Sequence, residues 1–497
     1  MEVLGWNRPE MGPRVAVAER ETGLDWGASP EMSPFESIMW RADRITPSPV
    51  VIVEQLAGVP DWDRLIAVHE WAVRTYPRLR QQVVEAPLGL GAPCWSEDPY
   101  FGLGAHLRRL AAPRGTGWSH LMAEAARWAL TPFDRSRPPW EALLYEGLPD
   151  GRAAYLIKMH HALTDGLGAA QLLERMHCKT AEHAGTEADT GPDSGAPPPM
   201  IPAARTSGFG AMAGQLRHDV AAVPGTLAAV GTGAVEALRD PAGWLTSATR
   251  YGKSLRRTLT PPDAPGSRLL AGRGPAWSFA AMDVPLAELR AAAKVARATL
   301  NDAYLAALLG GYRLYHAELG ADLGAVPMGV PVSLRRPGDP GGGNRFVGVR
   351  FAGPAGVADP LARIRAVREL ILSARAEPAI DTLGLMSPAL GRLPGAVVAR
   401  LIAPMTAGND LQASFVPGPR TDRYLAGVRV ERIYPYAPLP GCPAMITLVT
   451  HGTVGCVGVN YDPVAITCPE MFLGCLRDGF AEVLALQPRA AEVVTRS

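Results

Sequence analysis

The spacing of apolar and polar residues along the chain predicts both strands and helices in its first third. Continuous apolar runs predict buried strands at Pro49–Leu56 and Ala153–Met159. Apolar residues at helical spacing predict one helix that starts at Pro60-Asp61 and another near Trp118–Leu130. Because helices and strands follow one another without strict βαβ repetition, the pattern predicts an α/β sandwich with a largely mixed sheet.

A second globular half is predicted to begin near Trp277. Thr299 and Asp302 have the spacing of a helix-capping pair. Helices are expected at Pro285–Val295, Asp302–Leu319 and Pro469–Leu486. The same patterns predict strands at Ala325–Ser333, Asn344–Phe351, Leu411–Val416, Met445–Thr450 and Val454–Asn460.

Between the two halves the composition changes. Residues 181–207 are rich in Gly, Pro, Ala, Asp, Thr and Ser, which is typical of a linker, and residues 208–260 are weakly helical. A chain of 497 residues is expected to form two or three domains. We therefore predict an N-terminal domain at 1–180, a flexible linker and helical connector at 181–275, and a C-terminal domain at 276–497.

Charge and cysteine usage exclude several classes of function. The net charge of +1 gives no overall field that would attract nucleic acid. The six cysteines are scattered without a CxxC pair, which argues against a zinc site or a redox pair. No secretory signal pattern is visible, so a cytoplasmic location with free thiols is expected.

The sequence also contains two segments that are relevant to membrane association. The longest apolar stretch, around Val220–Val235, contains Pro224 and three glycines, whereas a spanning helix needs roughly 20 predominantly apolar residues. The basic stretch Lys253–Arg257 has two interpretations. It is either a solvated helix end or a segment attracted to anionic lipid headgroups.

Seven consecutive residues, His160-His161-Ala162-Leu163-Thr164-Asp165-Gly166, carry the strongest chemical signal in the chain. They stand where a predicted strand ends and a helical pattern begins. A histidine has an ordinary pKa of about 6.5, so it can accept a proton near neutral pH and return it. Asp165 can hold the turn in shape, and Gly166 tolerates a backbone angle that other residues avoid.

Two other interpretations of this turn are open. His161 and Asp165 could be metal ligands at positions i and i+4 of a helix, but Gly166 and Gly168 argue against a settled helix there, and no third ligand cluster is apparent. Asp165 could instead be only the N-cap of the next helix. That role is compatible with function, because one residue can both cap a helix and support a catalytic turn.

The HHxxxDG pattern resembles the signature of the CoA-dependent acyltransferase superfamily. Further segments resemble its bacterial wax ester synthase/diacylglycerol acyltransferase branch, in family order: Ser33-Pro34-Phe35-Glu36 with Trp40, Pro132–Glu141, Leu300-Asn301-Asp302, Val330–Arg335 with Gly343-Asn344, and Val416–Pro419. One position departs from the family, which usually has Ser-Asn before Val-Pro-Gly-Pro, whereas this chain has Ser414-Phe415.

The resemblance implies a fold and a reaction. The fold would consist of two chloramphenicol acetyltransferase-like domains, with mixed sheets flanked by helices and an active-site channel between them. The reaction would move a long-chain acyl group from acyl-CoA to the hydroxyl of diacylglycerol or a fatty alcohol, giving triacylglycerol or wax ester. It needs acyl-CoA as co-substrate and no other cofactor or metal. Apolar acceptors imply peripheral association with a membrane or a lipid droplet, and no nucleic-acid partner.

The resemblance also implies roles within the HHxxxDG turn. His161, the second histidine, would be the general base that removes the hydroxyl proton. Asp165 would orient the turn, with Arg335 as one candidate partner. His160 would support the imidazole of His161 or line the channel, and Gly166 completes the motif.

Substrate-binding residues are expected in the other motifs. An oxyanion donor is required on physical grounds, and Asn301 and Ser414 are candidates. For both, a cap or a structural hydrogen bond is an equally good interpretation. The remaining candidates, whose expected role is to line or support a substrate channel, are Asp302, Phe415, Pro139 and Trp140.

Two competing functions stand beside the lipid-forming enzyme. One is a condensation-type or tailoring acyltransferase that acts on a carrier-bound or secondary-metabolite acceptor. The absence of a carrier-domain serine motif or an adenylation segment argues against it, and the Pro-Pro-Trp and Asn-Asp motifs favour the lipid branch. The other is a non-catalytic scaffold or lipid-binding protein, against which the intact HHxxxDG counts.

Overall fold

The computed structural model describes residues 26–27, 29–85, 87, 92–113, 115–181, 200–210, 264–333, 346–376 and 408–486, with a few isolated positions at 212–250, 397 and 400. The helices are α1 (Pro34–Ala42), α2 (Trp62–Thr75), α3 (Trp118–Ala129), α4 (Gly166–Met176), α5 (Leu286–Val295), α6 (Leu300–Glu318), α7 (Pro360–Arg375) and α8 (Pro469–Leu484).

The strands are β1 (Pro49–Leu56), β2 (Gln81–Val84), β3 (Cys94–Glu97), β4 (Leu107–Ala111), β5 (Trp140–Glu146), β6 (Ala153–His160), β7 (Ser278–Pro285), β8 (Val326–Ser333), β9 (Phe346–Gly353), β10 (Leu411–Val416), β11 (Tyr424–Leu425), β12 (Val428–Tyr436), β13 (Ala444–His451) and β14 (Val454–Tyr461). The strands and helices predicted from periodicity are confirmed within a few residues at their ends.

Local sequence explains where several helices begin. Ser33 and Glu36 form a capping box at α1, and Thr299 and Asp302 form one at α6, as their spacing predicts. Asp165 caps α4 by accepting a hydrogen bond from the Gly168 N–H. His161 and Asp165 therefore do not share a helix, as expected, because α4 begins only at Gly166, although Gly166 and Gly168 themselves lie in its first turn.

Two six-stranded mixed sheets form the framework. In the first sheet the order is β11-β12-β1-β6-β5-β4, with only β4 and β5 parallel. In the second the order is β7-β14-β13-β10-β8-β9, with β10 parallel to both of its neighbours. A separate hairpin pairs β2 with β3. The mixed α/β sandwich that the sequence predicts is confirmed.

The first sheet contains strands from both halves of the chain. β12 pairs with β1 in an antiparallel ladder that joins Val51 to Tyr436, and β11 extends the same edge. The limits 1–180, 181–275 and 276–497 stay a prediction. The segment 182–199, the Val220–Val235 stretch and the basic stretch Lys253–Arg257 lie outside the described residues. Among the helices that are described, none has the length and apolar character needed to cross a bilayer.

The core of the second sheet lies under its helices. α6 and α8 pack along each other, and their glycines set the distance: a Cβ at Gly479 would lie 2.3 Å from the Gly311 nitrogen. Only glycine fits at such a close approach. This packing presses one face of the second sheet against helices. The opposite face is left to form one wall of the site.

Candidate active site

The HHxxxDG turn connects β6 to α4 and is held by backbone hydrogen bonds from three directions. The His160 N–H donates to the Pro139 carbonyl over 3.0 Å, and the His161 N–H donates to the Ser48 carbonyl over 2.8 Å. The Leu163 N–H closes the turn on the His160 carbonyl. The two histidines are therefore fixed by neighbouring segments as well as by their own strand.

The side chain of His160 is fully buried and supports the turn from beneath. Its Nδ1 accepts a hydrogen bond from the Ala162 N–H over 3.0 Å, so the ring proton is on Nε2. Nε2 lies 3.2 Å from Oδ1 of Asp43. The rings of Trp40 and Phe133 meet His160 edge-on, with centroids 5.1 and 6.0 Å away. Of the two predicted roles for His160, these contacts favour support of the turn.

Asp43 connects the two histidines, and sequence reasoning missed it. Its Oδ1 also accepts a hydrogen bond from the Ser48 N–H over 2.9 Å, and the Ser48 carbonyl in turn holds the backbone of His161. Burial by itself raises the pKa of Asp43. The hydrogen bonds from His160 and the Ser48 N–H and the charge of Arg135 outweigh it, so the pKa is lower than usual.

The N-terminal motif and the segment Pro132–Glu141 are in contact beside the His160 side chain. Arg135 donates to the Trp40 carbonyl over 2.7 Å, and its guanidinium lies 4.3 Å from the centre of the Trp40 ring. Trp40 ends the N-terminal motif, and Arg135 belongs to the segment Pro132–Glu141. Their contact explains why two motifs far apart in the chain serve one turn.

His161 and Asp165 both reach the wall of a large cavity. His161 is half-buried, whereas Asp165 is buried and holds the first turn of α4 through the N–H groups of Gly168 and Ala169. Arg335, the candidate partner of Asp165, lies outside the described residues. The described residues contain no group of three His, Cys, Asp or Glu side chains that could hold a metal ion.

Gly166 has a different reason to be glycine from the one expected. It does not have a positive φ angle, so backbone freedom is not what the position requires. A Cβ at Gly166 would instead lie 3.2 Å from Cγ2 of Val416 at the end of β10. The glycine therefore lets the start of α4 approach the second sheet closely, and this approach brings the HHxxxDG turn to the cavity.

The cavity measures about 420 Å³ and lies between the two sheets. Most of its wall is apolar and is contributed by α1, β1, α4, β8, β9, β10, β12 and β13. Among the residues that line it are Phe35, Ile38, Met39, Val50, Ile52, Ala169, Ala170, Leu173, Val330, Val349, Val416, Ile433, Pro435, Pro438, Met445 and Val449. Such a wall suits alkyl chains, because each buried methylene contributes about 0.8 kcal/mol.

Several polar side chains also line the cavity. Ser414 is among them, as the sequence predicts, whereas Asn409, Gln412, Thr447 and Arg350 were not foreseen. Burial lowers the pKa of Arg350. No local signal marks the unforeseen residues, because β8, β9, β10 and β13 bring them together from distant parts of the sequence.

Phe415 lies at the edge of the cavity wall. Side chains alternate between the two faces of a strand, so Phe415 and Ser414 point to opposite faces of β10. The ring of Phe415 packs against the core beneath the second sheet, although the residue also contributes to the cavity lining. Phe415 therefore contributes only part of its side chain to the cavity wall.

Pro139 and Trp140 do not line the cavity. The carbonyl of Pro139 holds the backbone of His160, and Trp140 Nε1 donates to the Leu79 carbonyl over 2.8 Å. The indole is buried and stacks on His106, with ring centroids 4.7 Å apart. Both residues support the turn from the core, which agrees with a supporting role and gives no contact with substrate.

Asn301 and Asp302 also lie away from the cavity lining. Asp302 accepts a hydrogen bond from the Thr299 N–H and lies 3.4 Å from Arg368, so it fastens α6 to α7. Asn301 stands beside it in the first turn of α6. This geometry gives no support to their predicted binding of substrate. The Asn-Asp motif acts here as a helix start.

The arrangement can carry out proton transfer in an apolar space. A half-buried imidazole faces the cavity, and its backbone is held by Ser48, which Asp43 fixes. A hydroxyl brought within hydrogen-bond reach of His161 could lose its proton to the ring and attack an electrophilic carbon. The cavity would exclude water from that reaction, which favours transfer over hydrolysis.

Comparison with known proteins now tests the expected family. A model described as the wax ester synthase/diacylglycerol acyltransferase catalytic domain matches residues 39–304, and one described as the WS/DGAT C-terminal domain matches residues 342–483. A Mycobacterium tuberculosis H37Rv protein named as a diacylglycerol O-acyltransferase is 38% identical over 472 residues, which is 94% of each chain. Another from the same strain is 28% identical and covers 85% of this chain and 89% of its own length.

Solved structures are similar in fold. A wax ester synthase/diacylglycerol acyltransferase from Marinobacter aquaeolei VT8 has a TM-score of 0.60 at 20% identity, over 91% of this chain and 98% of its own. The first condensation domain of the CDA synthetase has a TM-score of 0.54 at 16% identity, over 92% of this chain and 96% of its own. The expected fold and family resemblance are both confirmed.

Proposed function

Since the chain belongs to the wax ester synthase/diacylglycerol acyltransferase family, it is an acyltransferase, and we propose that it acts through His161 on apolar hydroxyl acceptors. The acyl group would come from a long-chain acyl-CoA. The acceptor would be diacylglycerol or a fatty alcohol, and the product triacylglycerol or wax ester. The observation that carries this proposal is the imidazole of His161 at the wall of a large cavity lined mainly by apolar side chains.

The reaction balances without a covalent intermediate on the protein. His161 takes the proton from the acceptor hydroxyl while its oxygen bonds to the thioester carbon. The carbon–sulfur bond then breaks, and the protonated imidazole returns the proton to the departing CoA sulfur. A donor must stabilise the oxyanion in between. Of the two candidates, Ser414 lies in the cavity lining and Asn301 does not, so we assign the role to Ser414.

The other residues of the turn act through His161. Asp165 fixes the start of α4, and His160 with Asp43 fixes the strand end before it. Neither side chain of the Asp43–His160 pair needs to touch substrate. They are positioning residues, because their hydrogen bonds determine where the backbone of His161 lies.

Incubation of the purified protein with labelled palmitoyl-CoA and a panel of alcohols, diacylglycerols and amines tests the reaction. Lipid extraction and chromatography identify the product. We expect esters of long-chain alcohols or of diacylglycerol, with activity rising from short to mid-chain alcohols. A clear preference for an amine or a carrier-bound peptide would contradict the proposal and favour the condensation-type alternative.

Substitution of His161 tests the base. His161→Ala should reduce kcat/KM by roughly 10²–10⁴-fold, the usual contribution of a general base. His120→Ala is the matched control, because His120 is half-exposed and, within the described residues, pairs with Glu124 on the same helix. It should keep the wild-type rate. A His161→Ala rate above half of the wild-type rate would contradict the mechanism.

We also propose peripheral association with a membrane or lipid-droplet surface. Support comes from the apolar substrates and from the basic stretch Lys253–Arg257 in the sequence. Co-sedimentation with anionic vesicles should show binding at low salt that weakens at high salt, because salt screens surface charges. Equal binding at both salt concentrations, or no binding, would contradict the electrostatic part.

A further inference from the structure

Three neutral polar side chains lie on the cavity wall that the second sheet provides. Asn409 precedes β10, Gln412 lies within β10, and Thr447 lies on the neighbouring β13. Thr447 pairs with Ser414, and Gln412 pairs with Met445. Since paired residues of adjacent strands point to the same face, these side chains share the face turned towards the cavity. We call Asn409, Gln412 and Thr447 the polar row.

Two members of the polar row have unused hydrogen-bonding capacity. Thr447 is 4% exposed and Asn409 is 2% exposed. In the described part of the chain, neither Oγ1 of Thr447 nor Oδ1 of Asn409 has a hydrogen-bond partner. Buried polar atoms without partners destabilise a protein, so the Thr447 hydroxyl beside the cavity, which can donate, indicates a ligand that accepts a hydrogen bond from it.

A glycine keeps space beside the row. A Cβ at Gly329, which pairs with Gln412, would lie 2.9 Å from Nδ2 of Asn409. Gly329 itself lines the cavity. Any larger residue at position 329 would press on the amide of Asn409 and fill the space in front of the row.

The row lies close to the reacting centre. Val416 ends β10 against Gly166 of the HHxxxDG turn, and Ser414 precedes it by two residues on the same face. At about 3.3 Å per residue, Ser414 and its neighbour Thr447 lie roughly 7 Å along the strand from Val416, and Gln412 roughly 13 Å. A group bound by the row would therefore lie close enough to His161 to belong to one of the two reacting substrates.

The chemistry of the row selects the kind of substrate. Its side chains carry no charge but can donate hydrogen bonds, so they match ester or amide carbonyls and hydroxyls. A fatty alcohol has one polar group, which His161 engages. A diacylglycerol keeps two ester groups beside its hydroxyl, and their carbonyl oxygens can accept hydrogen bonds from the Thr447 hydroxyl and from side-chain amides.

We propose that the polar row binds the ester carbonyl groups of a diacylglycerol acceptor and thereby favours diacylglycerol over fatty alcohols. This inference rests on the proposed function and assigns its acceptor. The amide carbonyls of the pantetheine arm of acyl-CoA share the same chemistry, so the test separates the two sources.

Thr447→Val removes the hydroxyl with little change of shape. We would measure kcat/KM for dioleoylglycerol and for hexadecanol at saturating palmitoyl-CoA, and the KM for palmitoyl-CoA separately. The ratio of kcat/KM for diacylglycerol to that for hexadecanol should fall about tenfold, the size expected when one buried hydrogen bond is lost. Thr453→Val is the control, because it makes the same change at an exposed position in the turn between β13 and β14, outside the cavity lining. It should leave the ratio within about twofold.

An unchanged ratio would overturn the proposal, whether activity towards both acceptors stays the same, falls equally, or is accompanied by a rise in the KM for palmitoyl-CoA. The last would assign the row to the pantetheine arm. Binding of the unreactive 3-O-methyl ether of dioleoylglycerol to His161→Ala protein, with and without Thr447→Val, gives a readout free of turnover. If Thr447→Val lowers the affinity for the ether about tenfold, binding by the polar row is supported even if the assignment of His161 fails. Equal affinity with and without Thr447→Val contradicts binding by the row.

Discussion

The two sheets of this protein have six strands each, yet their surroundings are built from different residues. Around the first sheet, charged and aromatic polar side chains are fully buried, among them Lys158, Glu54 and His160. Under the second sheet the core is mainly aliphatic, with α6 contributing residues such as Leu305 and Leu308. The first region supplies the HHxxxDG turn, and the second supplies the opposite wall of the cavity.

The buried groups of the first region are joined in pairs and small networks. Lys158, two residues before His160, donates to the carbonyls of Trp128 and Thr131 and lies 3.4 Å from Glu141. Burial lowers its pKa. Each of these bonds has a required distance and direction, and losing one leaves a buried group unsatisfied. Such networks fix a single geometry for the strand that carries the histidines.

The second region depends on packing. Its fully buried Arg363 fastens α7 to the carbonyl of Ala306 and to Glu482, beside a core of apolar side chains. Truncation of an apolar core side chain lowers stability through the cavity it leaves, whereas loss of a partner in a polar network also shifts the groups that the network positions. Substitutions in the first region should therefore reduce turnover more than stability. Substitutions in the second should do the reverse.

The largest effect is expected in the second region. Leu308→Ala removes a fully buried side chain from the aliphatic core and should lower the free energy of unfolding by about 2–5 kcal/mol. Turnover per folded molecule should stay close to wild type, because Leu308 does not line the cavity. Urea unfolding and assays at low temperature would measure the two quantities. A loss of turnover without a loss of stability would break the contrast between the regions.

The first region should be the more acid-sensitive. Burial lowers the pKa of His69 to about 4, while its Nδ1 donates to the Leu65 carbonyl and its Nε2 accepts from Tyr155. The unfolded chain takes up a proton near pH 6.5 and the folded state only near 4, so stability is full above 6.5 and falls as the pH drops through this window. The loss should be about 3 kcal/mol.

His69→Gln tests this pH dependence, because glutamine can form both hydrogen bonds without titrating. Urea unfolding at pH 7, 5.5 and 4 should show a shallower loss of stability in this variant. His316→Gln is the counterpart in the second region, where burial also lowers the histidine pKa but by less, and it should change the slope less. Equal slopes in wild type and His69→Gln would contradict the prediction.

Asp43→Ala should separate turnover from binding. It removes the shared acceptor of the His160 ring and the Ser48 N–H, so the backbone of His161 loses its support. We expect kcat to fall about tenfold, which corresponds to one lost buried hydrogen bond, with little change in KM. Asp43→Asn keeps an oxygen acceptor and should restore most of kcat. A rise in KM with unchanged kcat, or no recovery by asparagine, would contradict the positioning role.

The smallest effect is expected at the boundary between the regions. Phe415→Asn introduces the residue that the family usually has before Val-Pro-Gly-Pro. Because the ring packs mainly on the second core, we expect a shift of only about two- to threefold in preference between mid-chain and long-chain alcohols, with the chemistry retained. The profile of rate against alcohol length checks this. An unchanged profile would place Phe415 wholly in the core.

Where the signal was local, the sequence predicted the structure well. β1, β10 and the capping of α6 follow from short-range periodicity and side-chain spacing. β5, β7 and β12 were not foreseen, because their residues alternate weakly and what makes each of them a strand is its neighbour in a sheet.

By itself the sequence determined the HHxxxDG turn and the class of acyltransferase, because these depend on motifs of residues that are adjacent in the chain. Only the tertiary structure decided what holds and surrounds that turn. Asp43 reaches His160 across more than a hundred residues, and Gly166 is glycine because Val416 approaches it. The polar row forms only when β10 and β13 pair. Contacts between distant segments depend on how strands pair and sheets pack, which short-range patterns do not determine.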